Sequence, residues 1–71
     1  MKRRNIVLVS GGTGGHVIPA VNFGNYIVKN GHNCYLFVDD RGKKYASSFM
    51  GRTIVISSSH LNHNFFGKLK S

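Results

Sequence analysis

Ile6-Val7-Leu8-Val9-Ser10-Gly11-Gly12-Thr13-Gly14-Gly15-His16 joins an apolar run to a glycine-rich turn, and Pro19 follows inside a helix-like pattern. A strand, a glycine turn and a helix start, in that order, leave backbone N–H groups at the positive end of a helix. This is a ready site for phosphate or pyrophosphate. Glycine suits such a turn because a side chain would hold an anion away from the backbone donors.

The neighbouring segments extend the pattern. The first strand is expected at 5–10, and its unbroken apolar run implies burial on both faces, as in a parallel sheet. A helix is expected at 17–29, where Val17, Ala20, Val21, Gly24, Ile27 and Val28 make one core-facing stripe. Pro19 is expected in its first turn, where the missing N–H costs nothing, and Gly31 closes it. A second strand at 33–38 puts Cys34, Leu36 and Val38 on one face and Tyr35 and Phe37 on the other, all as core residues. Asp39-Asp40-Arg41-Gly42 reads as a turn, 43–50 as a short helix and 53–56 as a third strand. The order βαβαβ is α/β, the start of a Rossmann-like parallel sheet. Residues 1–57 are expected to form a partial Rossmann-like domain and 58–71 an irregular basic tail.

Composition narrows the partners. With ten Lys and Arg against Asp39 and Asp40, the net charge of +8 favours anions. The basic residues fall at 2–4, 41–44 and 68–70, not on one stripe, and no aromatic-basic motif interleaves them, so nucleic acid is not expected. The single Cys34 excludes an internal disulfide and fits a reducing cytoplasm. No run approaches the roughly 18–20 apolar residues of a membrane span. The apolar run behind Lys2-Arg3-Arg4 is also shorter than the ~7–15 residues of a signal-peptide core. Phe65 and Phe66 beside Lys68 and Lys70 suit either contact with an anionic membrane surface or packing within a larger domain, the second being favoured. His32, Cys34, His60 and His63 lack a second ligand pair, so no metal is expected.

The loop has rivals. A dinucleotide fingerprint needs G-x-G-x-x-G and an acid after the second strand; Asp39 and Asp40 qualify, but Val17 stands where the third glycine belongs. A P-loop would need a lysine after the glycines, and none is present. A tight turn without ligand is the simplest rival, and four glycines around one threonine exceed its needs.

The segment Ser10-Gly11-Gly12-Thr13-Gly14-Gly15-His16-Val17-Ile18-Pro19-Ala20 resembles the first glycine-rich loop of the MurG family, the N-acetylglucosaminyltransferases of peptidoglycan synthesis. The resemblance continues through Lys29-Asn30-Gly31-His32 and Arg41-Gly42-Lys43-Lys44. It implies the N-terminal part of a GT-B glycosyltransferase domain, one of two Rossmann-like halves facing a cleft. The implied reaction moves GlcNAc from UDP-GlcNAc to lipid-linked MurNAc-pentapeptide (lipid I to lipid II), with inversion, at the cytoplasmic face of the bacterial inner membrane. The resemblance implies no cofactor and no catalytic metal. Thr13, Gly14 and Gly15 match positions that contact the UDP-sugar, Gly11 and Gly12 support the loop, and His16 matches a histidine at the reacting centre. Backbone donors can stabilise a departing diphosphate, and a neutral histidine can accept a proton from an attacking hydroxyl.

By the same resemblance, the rest of the first domain and the whole donor-binding second domain are not found in these residues. The chain is therefore expected to be inactive alone and to bind UDP-GlcNAc weakly. Two alternatives stand beside this: a non-catalytic subunit completing a split GT-B enzyme with a partner chain, or a dinucleotide-binding Rossmann fragment.

Overall fold

The computed structural model describes residues 2–57. Phe65, Phe66 and the expected tail at 58–71 lie outside the described residues. The order is β1 (Asn5–Val9), α1 (Gly14–Lys29), β2 (Asn33–Asp39), a 3-10 turn η1 (Lys43–Ala46) and β3 (Arg52–Ile56). The strands pair in parallel in the order β1-β2-β3, so β2 is central. This is the opening of a Rossmann-like fold, as the pattern of apolar runs and glycine punctuation implies.

The register sets the faces. Ile6 pairs with Cys34 and Leu8 with Leu36, while Val7 pairs with Tyr35 and Val9 with Phe37. The first set faces α1, whose Val17, Val21, Gly24 and Ile27 are buried. Val17, Val21, Leu36, Val38 and Ala46 form the core, with Leu8, Ala20 and Phe49 packed against it. Each fully buried Val or Leu contributes about 1.5–3 kcal/mol.

The other face corrects the expectation of a doubly buried sheet. Val7 and Val9 are 57% and 59% exposed, and β1 alternates between exposed and half-buried residues. Tyr35 and Phe37 are half-buried, not core. The reason is topological: α1 and η1 both pack on the same side, and among the described residues nothing crosses the opposite side.

Two helix expectations also change. The helix begins at Gly14, not at 17, so Pro19 is its sixth residue. There its ring removes a bond that the Gly15 carbonyl would otherwise accept, instead of falling among the naturally unbonded first-turn groups. The segment 43–50 forms only the short turn η1, because its glycine and serine neighbours give no helical stripe. The helix end matches expectation. Gly31 adopts φ 88°, its N–H donates to the Val28 carbonyl (3.0 Å), and the His32 N–H donates to the Ile27 carbonyl (3.3 Å). This double closure needs a left-handed residue, which glycine supplies without strain.

Candidate functional site

The glycine loop lies at the carboxyl end of the sheet, where ligands bind in open α/β folds. Ser10 anchors its base: the residue is buried, and its N–H donates to the Phe37 carbonyl (2.9 Å). Thr13 then caps α1 in an extended conformation, and its carbonyl accepts the N–H groups of His16 (3.0 Å) and Val17 (2.9 Å). Gly14 and Gly15 are the first two helical residues and have no carbonyl one turn earlier. Among the described residues, no backbone acceptor takes the N–H of Thr13, Gly14 or Gly15. The positive end of a sixteen-residue helix is thus open to an anion.

The side chain of Thr13 does not cap the helix. Its Oγ1 lies 2.8 Å from Nδ1 of His16, three residues on. Both side chains are exposed, so the contact orients the ring at the loop without burying it. With Nδ1 as donor, Nε2 is left as an acceptor beside the helix end and the threonine hydroxyl is released to donate elsewhere. Thr13, Gly14, Gly15 and His16 therefore lie together, with Gly11 and Gly12 leading in.

The glycines divide by what lies over them. A Cβ on Gly12 would fall 2.5 and 2.8 Å from the Asp39 carboxylate oxygens and 2.9 Å from Arg41 Nε. A Cβ on Gly14 would lie 3.0 Å from the Tyr45 ring. The β2–β3 connection packs against both: Gly12 leaves no room for a Cβ, and at Gly14 the exposed Tyr45 ring would have to give by a few tenths of an ångström. Gly11 and Gly15 differ: their nearest neighbours would be His16 Nδ1 at 3.9 Å and Thr13 Oγ1 at 3.8 Å, ordinary contacts, and neither has positive φ. Nothing inside the described residues demands glycine there.

The connection itself is the part that sequence reasoning underestimated. Asp39, 1% exposed, accepts from the N–H groups of Arg41 (3.0 Å) and Gly42 (2.8 Å) through Oδ1. Its Oδ2 accepts from Arg41 Nε (3.1 Å) and Nη2 (2.7 Å). Burial alone would push this carboxyl up. The Arg41 side-chain hydrogen bonds, the Gly42 N–H, the Arg41 charge and the Arg41 N–H outweigh it and hold the group below the usual carboxylate range. Both oxygens are thereby spent within the protein, which leaves Asp39 no lone pair for a ribose, whereas Asp40, the other acid at this end of β2, is exposed. The motif Asp-x-Arg-Gly starting on the last residue of a strand is the signal for such a carboxylate-closed turn.

The histidine and cysteine placements are separate from the loop. His32 Nδ1 accepts the Arg4 N–H (3.1 Å) at the opposite end of the sheet. Cys34 is buried in β2, and burial pushes its thiol up. His60 and His63 lie outside the described residues. No described helix is long and apolar enough to cross a membrane.

The strand, glycine loop and helix together define the opening of a Rossmann-like domain whose first loop leaves backbone N–H donors at a helix N-terminus beside a histidine. Residues 6–71 match the glycosyltransferase family 28 N-terminal domain, and the chain belongs to that family. It is similar to the UDP-N-acetylglucosamine–N-acetylmuramyl-(pentapeptide) pyrophosphoryl-undecaprenol N-acetylglucosamine transferase of Rickettsia canadensis, 47% identical over 66% of this chain and 13% of the relative. The transferase of the same name from Rickettsia felis is 38% identical over 89% of this chain and 18% of its own length. That from a Culex pipiens Wolbachia is 50% identical over 51% and 11%. The chain thus spans less than a fifth of the length of these relatives. No solved structure matches it.

Proposed function

We propose that these residues are the acceptor-side wall of a hexosyltransferase site that moves GlcNAc from UDP-GlcNAc to lipid-linked MurNAc-pentapeptide in peptidoglycan synthesis. The observation that carries this reading is the pair Gly11 and Gly15, glycines that the packing around them does not require, beside open N–H donors at the start of α1. A bare backbone at these positions lets a phosphate oxygen approach the donors closely.

In the reaction, the acceptor C4 hydroxyl attacks the anomeric carbon of GlcNAc from the face opposite the leaving group. The new C–O bond forms as the bond to the β-phosphate breaks, the electron pair leaves with UDP, and the configuration inverts. The hydroxyl proton passes to Nε2 of His16, whose ring the Thr13 hydroxyl orients. Thr13, Gly14 and Gly15 supply backbone donors to the developing negative charge. Such a reaction places the protein at the cytoplasmic face of the inner membrane, where the lipid-linked acceptor is held.

The test is a chimera in which residues 5–57 replace the matching segment of the Rickettsia canadensis relative, with UDP release measured. Loss of a general base is expected to lower turnover in the His16→Ala chimera by about 100-fold or more. Turnover within about twofold of the parent chimera would falsify the assignment of His16.

The uncovered sheet face, with Val7 and Val9 more than half exposed, supports a second reading: a subunit that completes a split GT-B enzyme with a partner chain. Co-purification with a UDP-sugar-binding chain from the native host supports it. A monodisperse monomer from the same host with no such partner counts against it.

A further inference from the structure

β3 is an outer strand of the described sheet. The Asn33 N–H donates to the Arg4 carbonyl and the Ser10 N–H to the Phe37 carbonyl, so the odd-numbered residues of β2 turn their backbone groups toward β1. The even-numbered ones turn theirs toward β3. With Leu36 opposite Thr53 and Val38 opposite Val55, parallel pairing engages Arg52, Ile54 and Ile56. The N–H and C=O groups of Thr53 and Val55 therefore point out of the sheet, and among the described residues no strand pairs with them. Such an edge is usually blunted by a central charge, a proline or a bulge. β3 reads Arg-Thr-Ile-Val-Ile, with its one charge on the first residue. A groove of about 560 Å³ lies beside this edge on the helix side. It exists because η1 is only four residues long and leaves Val55 42% exposed, although Val38 beside it is fully buried. Ala46, Thr53 and Val55 line it together with Lys43 and Lys44. Asp40 is the single acid of the lining, and it lies within electrostatic reach of Arg41.

We propose that the free edge of β3 and this groove take an extended acidic peptide of a partner protein as an added strand. The outward backbone groups of Thr53 and Val55 supply the ladder bonds. Alternate side chains of the added strand then fall on opposite faces of the sheet. Those on the groove side meet Val55 and Ala46 along their stems and the two lysines at their ends, which suits glutamate. Those on the other side lie beside Ile54 and Ile56, which suits valine or isoleucine. Charge decides the partner. The chain carries ten Lys and Arg against two acids, so an acidic strand is drawn to it and a basic one is repelled. A second copy joined edge to edge is disfavoured for the same reason, because it would set the lysines of both grooves against one another.

Titration of the 15N-labelled 71-residue chain with acetyl-Glu-Val-Glu-Val-Glu-Val-amide tests this, with acetyl-Lys-Val-Lys-Val-Lys-Val-amide as the control. The Glu peptide is expected to move the Thr53 and Val55 amides and to slow their exchange with solvent, while the Lys peptide leaves both unmoved. Thr53→Pro removes an outward N–H and no bond within the sheet, and is expected to weaken the Glu peptide about tenfold. Lys43→Glu combined with Lys44→Glu is expected to weaken it about tenfold at low salt and less at high salt. Unmoved Thr53 and Val55 amides overturn the proposal, as does equal binding of the two peptides. Shifts confined to Lys43 and Lys44, without protection in β3, mean a bare charge contact and overturn the added strand. Protection of the same two amides without peptide, growing with the concentration of the chain, assigns the edge to a second copy and overturns the peptide as its occupant. The exchange measurement needs no variant and so does not depend on a substituted chain folding.

Discussion

Gly12 and Gly14 share a loop with Gly11 and Gly15, and the two pairs are glycine for opposite reasons. The first pair is pressed against the β2–β3 connection: Asp39 and Arg41 lie over Gly12, and the Tyr45 ring lies over Gly14. The second pair has only ordinary contacts and an ordinary backbone. A glycine-rich motif is commonly read as a ligand cradle throughout. Here half of it is a packing solution that fixes the loop, and the other half is left open by that fixing. Stability and binding should therefore separate along this division, and substitutions can break or sharpen it.

The largest stability loss is expected at Gly12. An alanine Cβ there would meet three polar atoms of the Asp39–Arg41 pair at 2.5–2.9 Å. Two of them belong to a buried carboxylate already holding four donors, so it has little room to yield. Overpacking of this kind costs about 1–3 kcal/mol, and loss of the carboxylate's bonds would add to it. Gly12→Ala is expected to lower the urea midpoint clearly, read by circular dichroism. A midpoint equal to that of the parent chain would mean that the inward half of the loop is not packing-determined.

The division explains which parts of the site the sequence revealed. Ile6–Val9, the glycines and the Gly31 stop announce themselves locally, because apolar period and backbone freedom are properties of short segments. Thr13 and His16 were legible as members of the same segment, whereas their 2.8 Å contact was not expected from it. Asp39 did not: its turn was legible from Asp-Asp-Arg-Gly, but its contact with Gly12 joins residues twenty-seven apart and depends on the parallel pairing of β1 with β2. The exposure of Val7 and Val9 was likewise hidden, since an apolar run specifies that a strand can be buried on both faces and not what is present to bury it. Pro19 misled for a local reason. The proline suggested a helix start nearby, whereas the unbonded glycines already form the first turn.

A smaller loss is expected from Asp39→Asn, about 1–3 kcal/mol, because a charge-assisted set of bonds is replaced by a neutral one. The same residue gives the inward half a pH signature. Its folded carboxyl titrates below the ordinary value of 3.8. The unfolded chain therefore binds this proton more readily, and stability falls as the pH drops below about 4. The contribution is fully present above that value and is lost once the pH has passed below the folded value. Urea midpoints at pH 7 and pH 3 should differ more for the parent chain than for Asp39→Asn. Equal differences would show that the acid under Gly12 is not the group that loosens the loop.

The smallest change in stability is expected at Gly15, and it should have the opposite sign. An alanine Cβ there meets only Thr13 Oγ1, at 3.8 Å, and the residue lies in the first turn of a helix without positive φ. Alanine is favoured over glycine in such backbone by up to about 1 kcal/mol, because less conformational freedom is lost on folding. The urea midpoint of Gly15→Ala should therefore stay level or rise. Its methyl would nevertheless project where the loop donors are open, and losing one close contact to a charged oxygen should weaken pyrophosphate about tenfold. Greater stability with weaker binding is hard to obtain if Gly15 serves the fold. Should Gly15→Ala instead unfold the chain, or bind pyrophosphate unchanged, the outward half of the loop would have to be reread as packing, like the inward half.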